Sequence, residues 1–277
     1  MKIQILGSGG GEGYPALFCS CAHCNAARKA GGKSLRTLSQ TLIDGKLLID
    51  LPSDTPSHFL RNNLNLGDIG YLLITHTHAD HYIPQLLDTR GEDFAHNMGV
   101  EQLHIYGNEE VKKKFDGVFG MYGIRESIRK NILFYKAEAF RPFRADGYTV
   151  TPLKAHHAPE EKPLNYIIDD GKSVLLYLLD TGYPFAETLE AIVGYGKQFD
   201  CVVMDCTMGI NYYEGHMNFA QDVQLKEYLC GAGACRKDTK FIVAHVTHNH
   251  AGLHEEVEEY FKDSGISVAY DGMTVEF

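Results

Sequence analysis

A chain of 277 residues with 44 % hydrophobic positions is long enough for a large core and reads as globular and soluble, either as one large α/β domain or as two close halves. Its formal charge of −10 argues against duplex nucleic acid as a partner, while small anionic substrates stay open. No apolar run reaches membrane-spanning length, and Ile3 to Leu6 is followed at once by Gly7-Ser8-Gly9-Gly10-Gly11 instead of a secretory core, so a cytoplasmic protein away from membranes is expected.

Residues 2–6 are predicted as a strand. After the glycine turn, Cys19, Cys21 and Cys24 form a C-x-C-x-x-C cluster. Three thiolates so close repel one another unless a cation holds them, and zinc lowers a thiol pKa enough to do so. A fourth ligand is needed, and His23, inside the cluster, is constrained by its neighbours. Paired thiols near a helix start also describe redox motifs, which is the alternative reading. The cysteines total seven, an odd number, in what reads as a reducing compartment, so no disulfide framework is expected. Cys201, Cys206, Cys230 and Cys235 read as small buried hydrophobes.

Residues 40–43 and 46–49 are predicted as strands joined through Asp44-Gly45, a tight-hairpin signal, and 54–62 as a helix. The apolar run Tyr71-Leu72-Leu73-Ile74 has strand length and delivers Thr75-His76-Thr77-His78-Ala79-Asp80-His81. His76 and His78 are two apart, so on extended backbone both imidazoles point the same way and can share one metal. Asp80 and His81 follow as the chain turns into a predicted helix at 82–88, so they face a second point. Imidazoles with a carboxylate suit zinc, manganese or iron.

Further strands are predicted at 103–106, 148–153, 166–168, 174–179, 201–205, 241–245 and 266–270. Helices are predicted at 109–115, 184–193, 219–229 and 253–261, with Asn218 capping the third of these. Four strands each end on a titratable residue: Asp50, Asp180, Asp205 and His245. A single strand-end aspartate is more often a turn former than a ligand. Together with His156-His157 after the strand at 148–153, they point to one polar edge on a packed sheet. The segment 90–143 is rich in aromatics and carries Arg125, Arg129, Lys130, Arg141 and Arg144; it is expected to supply a lid or pocket wall, although most of its rings read as core and its cations as a solvated face.

With these residues in view, the chain resembles the metallo-β-lactamase superfamily, whose T-H-x-H-x-D-H run stands here as Thr75 to His81. The resemblance covers nearly the whole length and implies a single α/β domain over residues 1–277, a four-layer αβ/βα sandwich with a dinuclear site between the sheet edges. It implies that His76, His78 and His157 hold one divalent ion (zinc, manganese or iron), that Asp80, His81 and His245 hold a second, and that Asp180 bridges them. Asp50 and Asp205 would buttress these ligands from behind. His157 is preferred to His156 because alternation from Val150 through Leu153 and Ala155 turns it inward.

Within the superfamily the chain is most similar to the PhnP-like cyclic phosphodiesterases of phosphonate metabolism. Those proteins carry C-x-C-x-x-C after a G-[ST]-G-[GS] turn, here Gly7-Ser8-Gly9-Gly10, and a histidine three positions beyond the last dinuclear ligand. His245-Val246-Thr247-His248 has that spacing, so the resemblance assigns Cys19, Cys21, Cys24 and His248 to one structural zinc. Gly215-His216-Met217-Asn218 matches the group's histidine before a helix. What this implies is a phosphodiesterase acting on small, even cyclic, phosphate esters through hydroxide activated by two metals. His216 would protonate the leaving alkoxide, with Asp80 as the catalytic carboxylate. A small phosphate ester is the expected partner, and a homodimer is compatible with the chain.

Three alternatives share the motif. A transfer-RNA-processing nuclease would carry a basic Gly/Pro-rich arm between His157 and Asp180, where only a hairpin-sized stretch stands. A lactonase or thioesterase would use the same metals at carbon. A non-enzymatic cofactor-biosynthesis relative would lose part of the dinuclear set, and all seven candidates are present here.

Overall fold

Consecutive strand residues such as Leu47, Leu48 and Ile49 are all buried, which requires an apolar covering on both faces of a sheet. The fold provides it in four layers. The structure is a computed structural model that describes residues 1–91, 93–249 and 251–277. Its strands, in chain order, are β1 (Lys2–Gly7), β2 (Gln40–Ile43), β3 (Leu47–Ile49), β4 (Tyr71–Leu73), β5 (Leu103–Gly107), β6 (Ile132–Lys136), β7 (Phe143–Ala145), β8 (Tyr148–Lys154), β9 (Leu164–Asp169), β10 (Val174–Leu178), β11 (Phe199–Asp205), β12 (Cys235–Ala244), β13 (Ile266–Val268) and β14 (Met273–Glu276). Among the described residues they form two seven-stranded sheets, ordered β14-β1-β2-β3-β4-β5-β6 and β13-β12-β11-β10-β9-β8-β7.

Alternation along each strand sorts the side chains. Ile3, Ile5, Ile43, Leu47, Ile49 and Leu73 of the first sheet meet Tyr166, Ile168, Leu175, Tyr177, Val203 and Ile242 of the second in one shared core. The odd-out neighbours point the other way. Leu42, Leu48, Leu72 and Ile105 pack under α2 (Thr55–Arg61), α3 (Glu109–Tyr122) and α4 (Glu126–Arg129), which follow α1 (Ala22–Ala30) in the chain. Leu176, Leu178, Val202, Met204 and Val243 pack under α5 (Ala186–Val193), α6 (Phe219–Gly231) and α7 (His254–Phe261). This is the helix–sheet–sheet–helix sandwich expected from the sequence.

In both sheets the central strands run parallel: β3 with β4 and β4 with β5, then β10 with β11 and β11 with β12. Their carboxyl ends therefore share an edge, the place where open α/β sheets expose side chains to a ligand. The β2–β3 hairpin turns through Asp44 and Gly45, both at positive φ (47° and 71°), which explains that dipeptide.

Several elements differ from expectation. The helix predicted at 82–88 is replaced by a 3-10 turn, Pro84–Arg90. Extended pairing precludes an earlier start: the Leu51 N–H donates to the His81 carbonyl at 2.7 Å and the Ile83 N–H to the Leu51 carbonyl at 2.8 Å. Helix α3 continues past Phe115 to Tyr122 despite Gly117 and Gly120, because Phe119 is buried against the first sheet and packing outweighs propensity. The unpredicted strands β6, β7 and β14 all lie at sheet edges, where one-sided contact leaves a weaker apolar pattern. The segment 90–143 contributes β5 and β6 to the first sheet and α3 and α4 to the helical layer outside it, and Phe115 and Phe119 are core. No helix among the described residues is long and apolar enough to cross a membrane.

Candidate metal centre

The loop after β4 and the ends of β3, β10, β11 and β12 converge between the sheets. Three overlapping groups have ligand atoms within 4.8 Å of one another: His76, His78, His157 and Asp180; Asp80, His81, Asp180 and His245; and Asp180, Asp205, His216 and His245. Asp180 is common to all three. Its Oδ2 lies 3.1 Å from Nε2 of His76, 3.1 Å from Nε2 of His81 and 3.4 Å from Nε2 of His157. Its Oδ1 lies 3.8 Å from Nε2 of His245, and Asp80 Oδ2 stands 3.1 Å from Nε2 of His81.

Backbone geometry aims these groups. Asp50, Asp180 and His245 have φ of 67°, 53° and 63°, so each strand breaks into the left-handed region at its titratable residue and turns that side chain over the edge. For residues other than glycine such backbone costs about 1–3 kcal/mol each and persists where surrounding structure enforces it, commonly at functional sites.

The imidazoles are held from behind. Asp50 accepts from the Thr75 N–H at 2.8 Å and contacts His81 Nδ1 at 2.8 Å. Thr207 Oγ1 lies 2.7 Å from His245 Nδ1, Thr75 Oγ1 lies 3.1 Å from His76 Nδ1, and the Gly215 carbonyl lies 3.2 Å from His157 Nδ1. With Nδ1 engaged, Nε2 points at the common centre. Yet the buried Nε2 atoms of His76, His81 and His245, and Oδ1 of Asp180, make no hydrogen bond. Orphaned polar atoms cost about 1–3 kcal/mol apiece. Divalent cations shared among these donors would satisfy all four, so the residues fit a metal pair.

Burial, helped by the charge on His81, pushes the His76 pKa down to about 3, which keeps its ring in the neutral, ligating form. Burial would raise the Asp80 and Asp180 carboxyls, but His81 beside Asp80, and His245 with His76 and His81 beside Asp180, hold both below the usual carboxylate range. His81 itself rises despite burial, through Asp80 and Asp50.

His216 stands next to this cluster on a tight turn paired with Tyr213. Its Nδ1 lies 3.2 Å from Asp180 Oδ1 and 3.4 Å from Asp205 Oδ2. Burial opposes its charge, yet the hydrogen bond and charge of Asp205, with Asp180 and Asp80, lift its pKa to about 9. Asp205 also accepts from the Thr207 N–H at 2.9 Å and the Met217 N–H at 3.1 Å, so it fixes the turn carrying His216. Asn218 then caps α6 in a reciprocal box with Gln221. His156 faces away, its ring 4.2 Å from that of Phe185.

A separate cluster unites Cys19, Cys21, Cys24 and His248, again with ligand atoms within 4.8 Å. The Sγ atoms of Cys19 and Cys21 each lie 3.5 Å from His248 Nδ1. Cys21 caps α1, and the Cys24 N–H, followed by His248, draws its pKa down to about 6. Burial pushes the Cys24 thiol up to about 11. These donors fit a tetrahedral zinc, which would stabilise the thiolates together. His23 is exposed on α1, outside the cluster, and His250 lies outside the described residues. Cys201, Cys206 and Cys235 are buried as expected, whereas Cys230 is exposed on α6.

A cavity of about 460 Å³ opens beside His157, bordered by Asn108, Lys136, Arg141, Lys154 and Phe185. Of the cations in the segment 90–143, Arg141 reaches this rim, while Arg125 pairs with Asp93 and Arg129 with Asp116. Sequence reasoning missed Thr207, which orients His245, and Glu12, 3.3 Å from His248 Nε2. Neither carries a motif of its own, although Thr207 lies two residues past Asp205.

Comparison with known proteins gives the same frame. Coenzyme PQQ synthesis protein B of Klebsiella pneumoniae (strain 342) is 24% identical over 315 residues, spanning 99% of this chain and 98% of that protein. A diphosphatase of the PhnP family superposes with a TM-score of 0.76 at 23% identity, covering 100% of this chain and 97% of that one. The short form of human tRNase Z superposes with a TM-score of 0.68 at 15% identity, covering 100% and 99%. The family described as Beta-lactamase superfamily domain matches residues 46–237. With its sandwich fold and its histidine–aspartate edge, the chain belongs to the beta-lactamase superfamily.

Proposed function

We propose that this protein is a hydrolase dependent on two divalent cations that cleaves small phosphodiesters, cyclic ones included. The observation that carries this reading is the convergence of three buried imidazole Nε2 atoms on Asp180, all without hydrogen-bond partners. In this reading His76, His78 and His157 hold one cation, Asp80, His81 and His245 hold the other, and Asp180 serves both. Zinc, manganese and iron all suit that donor set. Bound there, such cations supply Lewis acidity and lower the pKa of water toward seven.

The chain's own contribution is placement and a proton. Asp205 fixes Nδ1 of His216 and favours its charged form, which leaves Nε2 free to deliver a proton to a departing alkoxide. The cavity beside His157 lies within the size range of small-molecule sites. Likeness to a diphosphatase and to a tRNase supports chemistry at phosphorus, and the cysteine cluster acts in this reading only to hold the loop before α1.

The test assays protein of known metal content on bis(p-nitrophenyl) phosphate, a cyclic phosphodiester, a lactone and a thioester. Metal-dependent cleavage of the phosphodiesters is expected. Full metal occupancy with no phosphodiester cleavage overturns the reading, and preference for the lactone or thioester moves the chemistry to carbon. A second reading, participation in cofactor biosynthesis, is favoured by the near full-length match to the PQQ synthesis protein; it is the outcome if none of the four esters turns over.

A further inference from the structure

We propose that Lys114 is a positioning residue for the metal centre, clamping the loop that carries His78, Asp80 and His81 from the helical layer behind it. The proposal rests on the reading of that loop as a metal ligand set. Lys114 lies on α3 between Val111 and Phe115, both buried under the first sheet. Those neighbours fix the helix, so the lysine stem starts from a rigid base. Its Nζ donates to the Thr77 carbonyl at 2.5 Å and to the Tyr82 carbonyl at 2.7 Å. One ammonium thus ties together the two ends of the segment holding three of the seven candidate ligands.

The other lysines of this run behave differently. Lys112 pairs with Asp116, and Lys113 pairs with Glu110 at 2.8 Å, ordinary exchanges along an exposed helix face. Among the described residues Lys114 makes no such ion pair, and its ammonium goes to backbone carbonyls instead. Other supports are less direct: Thr77 Oγ1 donates to Glu161, and the His81 and Tyr82 N–H groups close on the His78 carbonyl at 3.1 and 2.9 Å. These set the local turn. Only the lysine, of the contacts named here, links both its ends to α3. A clamp of this kind preorganises ligands without touching substrate, and outer partners of metal ligands typically change metal affinity by about 10- to 100-fold.

The experiment titrates metal-stripped wild type, Lys114→Met, Lys114→Arg and Lys113→Met with Mn²⁺, which prefers oxygen and imidazole donors to thiolates and so reads the histidine–aspartate cluster. Affinity is followed by calorimetry and the spin-coupled Mn²⁺ pair by electron paramagnetic resonance. Lys114→Met is expected to bind about 10- to 100-fold more weakly and to lose the coupled signal, while its metal-free melting stays near wild type. Lys114→Arg is expected to recover most of the affinity, and Lys113→Met to match wild type. Unchanged affinity in Lys114→Met, or a loss shared equally by Lys113→Met, overturns the proposal. If Lys114→Met does not fold, Lys114→Gln replaces it, and wild-type affinity there overturns the proposal too. Wild type that binds no Mn²⁺ at the cluster defeats the metal reading itself, a failure distinct from that of the clamp.

Discussion

Asp50 meets His81 in the interior at 2.8 Å across 31 residues of chain, and the same carboxylate accepts from both the N–H and the hydroxyl of Thr75. One buried side chain therefore orients an imidazole and anchors the start of the loop. Asp50→Ala is expected to weaken divalent metal binding by about 10- to 100-fold. It should also destabilise the metal-free fold by about 1–3 kcal/mol, since Thr75 and His81 lose their partner. Metal titration and urea unfolding check both, and wild-type affinity in the variant would remove Asp50 from this role.

Metal content separates the two clusters. Saturated protein is expected to hold about three ions per chain, two at the histidine–aspartate edge and one at the cysteines. Cys21→Ser should lose about one equivalent and keep phosphodiester hydrolysis in whatever fraction stays folded. Asp180→Ala should lose the edge ions and retain the thiolate-bound one. Mass spectrometric metal analysis reads the difference; an Asp180→Ala protein with undiminished metal would contradict the shared role of that carboxylate.

His216→Gln is expected to reduce turnover by about 10²- to 10⁴-fold with metal content unchanged. The charged imidazole is the form that donates a proton, and Asp205 with Asp180 and Asp80 raises its pKa. Wild-type turnover should therefore fall as pH rises through that pKa, and this alkaline limb should be absent in the variant. Loss of metal in His216→Gln would instead make it a ligand.

Asp222 offers a test of stability. It is fully buried in α6, neither carboxylate oxygen has a hydrogen-bond partner, and burial, then the Asp205 charge, push its pKa well above the ordinary 3.8. The folded state keeps this proton while the unfolded state releases it above 3.8. Stability therefore falls as pH rises from the unfolded value toward the folded one, by up to about 1.4 kcal/mol per pH unit. Asp222→Asn has no such term, so its stability advantage should widen between pH 4.5 and 7 in urea unfolding. An advantage independent of pH would show that the carboxylate is ionised inside the fold.

Much of this molecule was legible in its sequence, because periodicity and ligand chemistry are local. The run from Thr75 to His81 announced a metal loop, the strand-end positions of Asp50, Asp180, Asp205 and His245 announced one polar edge, and the four-layer sandwich was implied by the family resemblance those residues carry. Cys19, Cys21 and Cys24 likewise pointed to a cation. What tertiary structure decided was which groups meet. Asp180 stands between His76 and His81 only because the carboxyl edges of two sheets face each other, and the fold turns His157 toward Asp180 while His156 packs on Phe185. Lys114, Thr207 and Glu12 have no local signature at all. Their roles come from contacts across 32 to 236 residues of chain, and such distances are set by packing, which no local pattern encodes.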